Sequence, residues 1–442
     1  MSTALSQVVL RHPMLCCCIQ DEDSNRPVYA CRRSIDLDAH MQFLELTKER
    51  PLLRRLEELH DQPWTSQDKT PPWKVVILQG DAQVDEGSPS TMKLDIAFIF
   101  HHALADGLSG AAFHASLLEA LQDASSVSSP SSLVQDKECT VRVDPNLTLG
   151  LPIEKLVKFN LSRSFLLKQV LQEYGPRFLF ARKDNHFSGL DCEVSDRLPY
   201  VSRIRVLEVG ETDVKLLLAL CKSQSLSMTS LITASLVNSL SMALPDADAF
   251  VGATAYTLRR VSGTAFNVMG NETSGLETAY DGSILRNIRS LYAEGTDSSI
   301  MRALWEVAKL HEVGLKSELA RCPNNNLVGL LPYVTDYHEF YRKKLGRKRE
   351  HTFEVSNLGV VGPRGNPTGQ WALERAIFAQ GAAVVGAALA LNCASVLGGS
   401  LNITITWQEH IVDEELVEKL VESMDFVLKK AAATGSTKDG DV

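Results

Sequence analysis

One stretch constrains this chain more than any other: an alternating run that ends in two histidines, an aspartate and a glycine. Met92, Leu94, Ile96, Phe98 and Phe100 alternate with Thr91, Lys93, Asp95, Ala97 and Ile99, the period of two that a β-strand requires. His101-His102-Ala103-Leu104-Ala105-Asp106-Gly107 follows. From Leu108 to Leu121 the apolar positions return at helical spacing, with Asp106 or Ser109 available as a cap near the start. The motif therefore sits on a strand, a turn and a helix start. Strand parity places His102 on the apolar face, with its imidazole pointing into the protein and His101 pointing to the opposite side.

A lone H-x-x-x-D is weak, since ordinary residue frequencies give one by chance in roughly half of chains this long. The preceding His and following Gly lower that expectation to about one in a thousand. Three further segments accompany the motif in order. They are Ala4-Leu5-Ser6-Gln7-Val8-Val9-Leu10-Arg11-His12-Pro13-Met14-Leu15, Tyr256-Thr257-Leu258-Arg259, and Thr352-Phe353-Glu354-Val355-Ser356-Asn357-Leu358-Gly359.

Together these resemble the CoA-dependent acyltransferase superfamily, which includes chloramphenicol acetyltransferase, the plant BAHD enzymes and nonribosomal condensation domains. All carry H-x-x-x-D, and condensation domains carry H-H-x-x-x-D-G. The likeness is closer to the fungal-type alcohol acetyltransferase branch, through its early "AL-x-x-V-V-x-x-H-P-x-L", internal S-L-R (with Thr257 in place of Ser) and late "F-x-V-S-N-L-G" segments. The BAHD D-F-G-W-G element has no counterpart. The resemblance implies an α/β fold of two chloramphenicol-acetyltransferase-like halves around a central channel. Boundaries are expected at 1–195, carrying the motif, and 196–442. The chain reaches the "H-P" helix almost at once, so either the protein is naturally short and lacks a first N-terminal strand or its start is mis-assigned. Loss of that strand would leave a sheet edge unpaired and could remove part of the acceptor pocket.

Composition is that of a globular chain: 442 residues, 44% hydrophobic and 22% charged. A net charge of -9 gives no reason to expect nucleic-acid or membrane-surface binding. Nine cysteines with no C-x-x-C pair fit a reduced intracellular protein, and Cys16, Cys17 and Cys18 fit a buried strand. The most apolar stretch, Ala382 to Leu391, is too short to span a membrane, and no signal peptide is present. Cytoplasmic residence and a monomer are the default expectations.

Periodicity predicts helices over 3–11, 211–242 (two), 300–319 and 413–429. Strands are predicted near 14–20, 27–32, 73–79, 91–101, 250–258, 351–361, 371–380, 384–393 and 400–407. Residues 123–145 read as a loop, and Lys183 to Tyr200 as a crossing between halves.

Acyl transfer needs a base, because an alcohol is a poor nucleophile near neutral pH. His102 is assigned as that base through one ring nitrogen, and the same group can then protonate the leaving CoA thiolate. An ordinary satisfied core histidine is the competing reading. The resemblance implies that Asp106 turns away from the imidazole into a structural ion pair with an arginine, for which Arg259 is the candidate. His101 and Gly107 are expected to shape the turn. Ser356 and Asn357 are expected to line the channel against the acyl or pantetheine groups, or else to form a strand-to-turn bend. Arg342, Lys343, Lys344, Arg347, Lys348 and Arg349 place six cations in eight positions. Arg347 and Lys348 are assigned to the 3'-phosphoadenosine end of CoA, against a solvated charged turn.

The reading is a CoA-dependent O-acyltransferase that uses acetyl-CoA, with acyl-CoA generally as co-substrate, and a small-molecule alcohol acceptor in secondary-metabolite tailoring. It needs no metal, since His and Cys lack zinc spacing. The alternatives are acyl transfer from a pantetheine-bearing carrier protein, and a repurposed binding or cyclisation protein on the same fold.

Overall fold

Trp73–Gln79, the run Trp-Lys-Val-Val-Ile-Leu-Gln, is apolar on both faces, as a strand must be when something packs on each side of it. In the computed structural model of the chain it is the centre of a three-stranded sheet. The structure describes residues 1–80, 93–126, 139–174, 186–190, 193–362 and 369–436. The chain divides into two compact units. The first comprises Met1–Pro152, Gly263–Glu272 and Val360–Glu374, and the second comprises the remainder. The leading segment of the first unit runs to Pro152, and the unit takes in two later segments that sequence order alone does not suggest.

The first unit contains α1 (Ser2–Arg11), β1 (Cys17–Gln20), β2 (Val28–Cys31), β3 (Ser34–Asp36), β4 (Met41–Glu45), α2 (Leu52–His60), β5 (Trp73–Gln79), β6 (Asp95–Phe100), α3 (Gly107–Ser126) and β7 (Thr140–Arg142). In its main sheet β4 pairs parallel and β6 antiparallel with β5. Trp73, Val75, Ile77 and Phe98 face α1 and α3, while Val76 and Leu78 join Ala97, Ile99 and Leu59 on the α2 side. Leu94, Ile96, Phe98 and Phe100 fall in one cluster, as the alternation predicts; Met92 lies outside the described residues. β1 and β2 form a hairpin with Cys17 opposite Cys31. The predicted strand from 14 begins instead as a 3-10 turn, Pro13–Cys16, because Pro13 supplies a helical φ and no donor. α3 runs to Ser126, and β7 lies within the predicted 123–145 loop. The central part of that loop lies outside the described residues.

The second unit contains α4 (Ile153–Leu156), α5 (Arg163–Tyr174), β8 (Ser202–Val209), α6 (Glu211–Ser223), α7 (Met228–Ala243), β9 (Phe250–Thr257), α8 (Arg259–Ser262), β10 (Thr273–Tyr280), α9 (Gly282–Ala293), α10 (Asp297–Arg321), α11 (Tyr337–Arg342), β11 (Phe353–Val360), β12 (Leu389–Ser395), β13 (Leu401–Gln408) and α12 (Glu414–Ser436). Its six-stranded sheet has the order β10-β9-β11-β12-β13-β8. Leu401, Ile403, Ile405 and Trp407 of β13 enter the main core. Asn402 and Thr404 face the other way and bond to the carbonyls of Ala376 and Phe378, at 3.0 and 2.7 Å. The predicted strand 371–380 is absent: the segment joins no ladder, and two of its carbonyls are taken by these β13 side chains. Among the described residues no single helix is long and apolar enough to cross a membrane.

Candidate active site at the turn before α3

Both elements flanking the motif are fixed by ring packing. Phe98 on β6 stacks on Phe113 of α3 with centroids 3.8 Å apart and planes 4° from parallel. β6 stops at Phe100, and residues 102–104 form a turn. His101 N–H donates to Pro72 O at 2.9 Å, and Leu104 N–H donates to His101 O at 3.0 Å. The His101 ring folds back over the turn, where Nδ1 accepts the Ala103 N–H at 3.1 Å. Burial lowers the His101 pKa, with Glu22 pulling the other way. From β2, Tyr29 donates its hydroxyl to Ala103 O at 2.6 Å. Leu104 and Ala105 then enter the core.

Asp106 is buried, at 2% exposure, and its carboxylate works as a fastener. Oδ1 accepts from Ser109 N–H at 2.9 Å and from Ser109 Oγ at 2.8 Å, which caps α3. Oδ2 accepts from Glu272 N–H at 3.1 Å. The Asp106 N–H donates to Gly270 O at 3.1 Å. Ser109 Oγ reaches Gly270 O at 2.8 Å and accepts the Gly270 N–H at 3.0 Å. Residues 270–272 are thereby bolted to the start of α3. Gly107 is the first helical residue of α3 and not a left-handed turn position.

His102 is exposed, which corrects the parity argument. The strand has ended two residues earlier, so alternation no longer decides where its side chain goes. Its neighbour is Asn271, whose Nδ2 donates to His102 O at 2.9 Å and lies 3.4 Å from His102 Nδ1. Sequence reasoning missed both Asn271 and Tyr29. Neither lies in a motif, and Asn271 is 169 positions from His102.

His101, His102, Asp106 and Gly107 are thus assembled with Gly270–Glu272 in the first unit, while the other candidates belong to the second. Arg259, at the start of α8, is 2% exposed, whereas Arg260 is exposed; the Arg259 N–H donates to Thr257 Oγ1 at 3.1 Å. Ser356 and Asn357 are half-buried on β11. Asn357 donates to Thr229 Oγ1 of α7 at 3.1 Å and accepts the Gly359 N–H at 2.9 Å. Gly359 has a φ of 71°, which favours glycine there.

The basic run divides in the structure. Arg349 is buried at 2% exposure and donates to Ala383 O, Gly386 O and Gln408 Oε1. Lys343 pairs with Glu339 at 2.8 Å and Lys344 with Glu350 at 3.0 Å. Arg347 is half-buried. Lys348 is exposed and borders a cavity of about 610 Å³ that also takes in Glu193 and Asp246.

Comparison with known proteins agrees with this architecture. The alcohol acetyltransferase family matches residues 60–254 and 303–428. A protein of Fusarium pseudograminearum named as a probable alcohol acetyltransferase is 28% identical over 435 residues, covering 96% of this chain and 85% of its own. One of Aspergillus fumigatus with the same description is 24% identical, covering 94% of this chain and 87% of its own. Among solved structures, the trichothecene 15-O-acetyltransferase of Fusarium sporotrichioides superposes with a TM-score of 0.66 at 14% identity, over 98% of this chain and 85% of its own. The epimerization domain from the third module of tyrocidine synthetase B gives 0.54 at 15% identity, over 98% and 88%. These two show a shared fold. With a family match across most of its length, the chain belongs to the alcohol acetyltransferase family and is an acyltransferase.

Proposed function

We propose that this acyltransferase moves an acyl group, acetyl first among them, from acyl-CoA to the hydroxyl of a small alcohol, with His102 as general base. The observation that carries the reading is the division of labour at the turn. The His102 ring is exposed on a turn held by Tyr29, Pro72 and Asn271, while the Asp106 carboxylate accepts from Ser109 and Glu272. A ring nitrogen of neutral His102 takes the hydroxyl proton as the alcohol oxygen attacks the thioester carbonyl. The tetrahedral intermediate then collapses to the ester, and the departing CoA thiolate takes that proton back. The ion pair expected between Asp106 and Arg259 belongs to this proposal and rests on the family resemblance. So do a phosphate-binding role for Arg347 and Lys348, channel-side roles for Ser356 and Asn357, and cytoplasmic residence as a monomer. The acceptor class draws support from the structural relative whose name gives a trichothecene oxygen as its site of acetylation.

The direct test incubates the protein with acetyl-CoA and a panel of alcohols and follows free thiol release. His102→Ala is expected to lose about 10²- to 10⁴-fold in rate. A fully active His102→Ala protein would overturn the assignment.

A further inference from the structure

We propose that Asn271 is a positioning residue for His102, and that through it the Asp106 fastening acts on the imidazole. This rests on His102 being the base. The residues on either side of Asn271 are clamped: Gly270 O accepts the Asp106 N–H and Gly270 N–H donates to Ser109 Oγ, while Glu272 N–H donates to Asp106 Oδ2. With both neighbours fixed, the Asn271 backbone has little freedom, although its side chain is exposed. That side chain spends one N–H on the His102 carbonyl at 2.9 Å, and the same nitrogen is 3.4 Å from Nδ1. The His102 main chain and ring are therefore referenced to one amide. That amide is referenced in turn to the buried carboxylate four residues further along the motif.

A physical consequence follows for Asp106. Its carboxylate accepts from the Ser109 and Glu272 backbone N–H groups, so it can influence the ring through the placement of residues 270–272 without moving a proton. An exposed imidazole otherwise rotates freely about χ1 and χ2, and misplacement of a reacting group by about 1 Å can cost 10²-fold in rate. A single short amide, held at both ends of its own backbone, removes much of that freedom.

The test uses the full chain with acetyl-CoA and one accepted alcohol, comparing Asn271→Ala and Asn271→Asp with the unaltered protein and with His102→Ala. Asn271→Ala is expected to lower kcat about 10- to 100-fold, with the KM for acetyl-CoA and the melting temperature unchanged because the side chain is exposed. Asn271→Asp sets a carboxylate beside Nδ1, which favours the protonated ring. The acid limb of the pH dependence of kcat/KM should then move to higher pH by about one unit. Among the described residues His101 interacts with His102 and with Glu22, and neither His101 nor Glu22 is altered. A role confined to chain stability would move the melting temperature and leave the limb in place. Unchanged kcat and an unmoved limb in both variants, with His102→Ala inactive, would overturn the Asn271 assignment alone. An active His102→Ala protein would remove the base reading and the Asn271 assignment with it.

Discussion

At Asp106 a carboxylate four positions after a histidine could have been one of two devices, a charge relay or a brace, and its hydrogen bonds favour the brace. Oδ1 caps α3 through Ser109, and Oδ2 takes the Glu272 N–H. Asp106→Asn therefore puts an amide NH₂ where at least one donor already points, and it removes a charge-assisted bond. The expected cost is about 1–3 kcal/mol, seen as a lower urea midpoint together with lower activity, since the clamp also places Asn271. Full activity at full stability in that variant would contradict the bracing role. The motif made His102 and Asp106 visible in the sequence. Asn271 was not visible, because Gly-Asn-Glu carries no pattern of its own and meets the motif only after the chain has run through much of the second unit.

Elements were legible wherever their own periodicity decided them. α1, β5, α6, α7, β9 and β13 fall within a residue or two of expectation, since each is an apolar run or repeat bounded by polar or turn-forming residues. The 371–380 segment has strand-like composition and yet no ladder. Two of its carbonyls are bonded by Asn402 and Thr404 across the sheet face, a partnership without local sequence signature. The basic run shows the same limit: six cations that read as one feature divide into a buried structural arginine, two lysines paired with glutamates, and the rest. Arg349→Ala would leave the buried Gln408 Oε1 without this donor and vacate the space of a side chain only 2% exposed, so it should cost about 2–3 kcal/mol in stability. Charge reversal of Arg347 and Lys348 together should leave the melting temperature near its original value. It should raise the KM for acetyl-CoA with little change in kcat if these residues hold phosphate. Equilibrium unfolding and steady-state kinetics on the two variants separate the roles, and an unchanged KM would discard the phosphate assignment.

For the whole molecule, buried neutral histidines set an acid limit. His12, hydrogen-bonded to Ser116 Oγ at 2.8 Å, and His311, held between Ser230 Oγ at 2.8 Å and Thr254 Oγ1 at 2.9 Å, both have pKa values pushed down to about 4 by burial. Arg11 adds to the shift at His12, and Glu312 opposes it at His311. Because the folded pKa lies below the unfolded one, the unfolded state binds protons first as pH falls. Stability contributed by the neutral rings is full above about pH 6.5 and is lost progressively between about 6.5 and 4. The loss is of order 2–3 kcal/mol for each histidine by pH 4. Urea midpoints measured from pH 7 to 4 should fall accordingly, and His311→Asn should flatten the slope. A slope identical in that variant would exclude His311 as a source.

The sequence by itself determined the α/β class, most element positions, the family and the two residues on which the chemistry is proposed to turn, because each of these is written in short-range repeats or in a motif a few residues long. Tertiary structure alone decided that His102 lies exposed beyond the end of its strand, that Asp106 fastens backbone, and that residues 263–272 return to the first unit. The physical reason is common to all three. Each depends on which polar group finds which partner over separations of up to 169 residues, and hydrogen bonds of that range leave no periodicity in the chain that makes them.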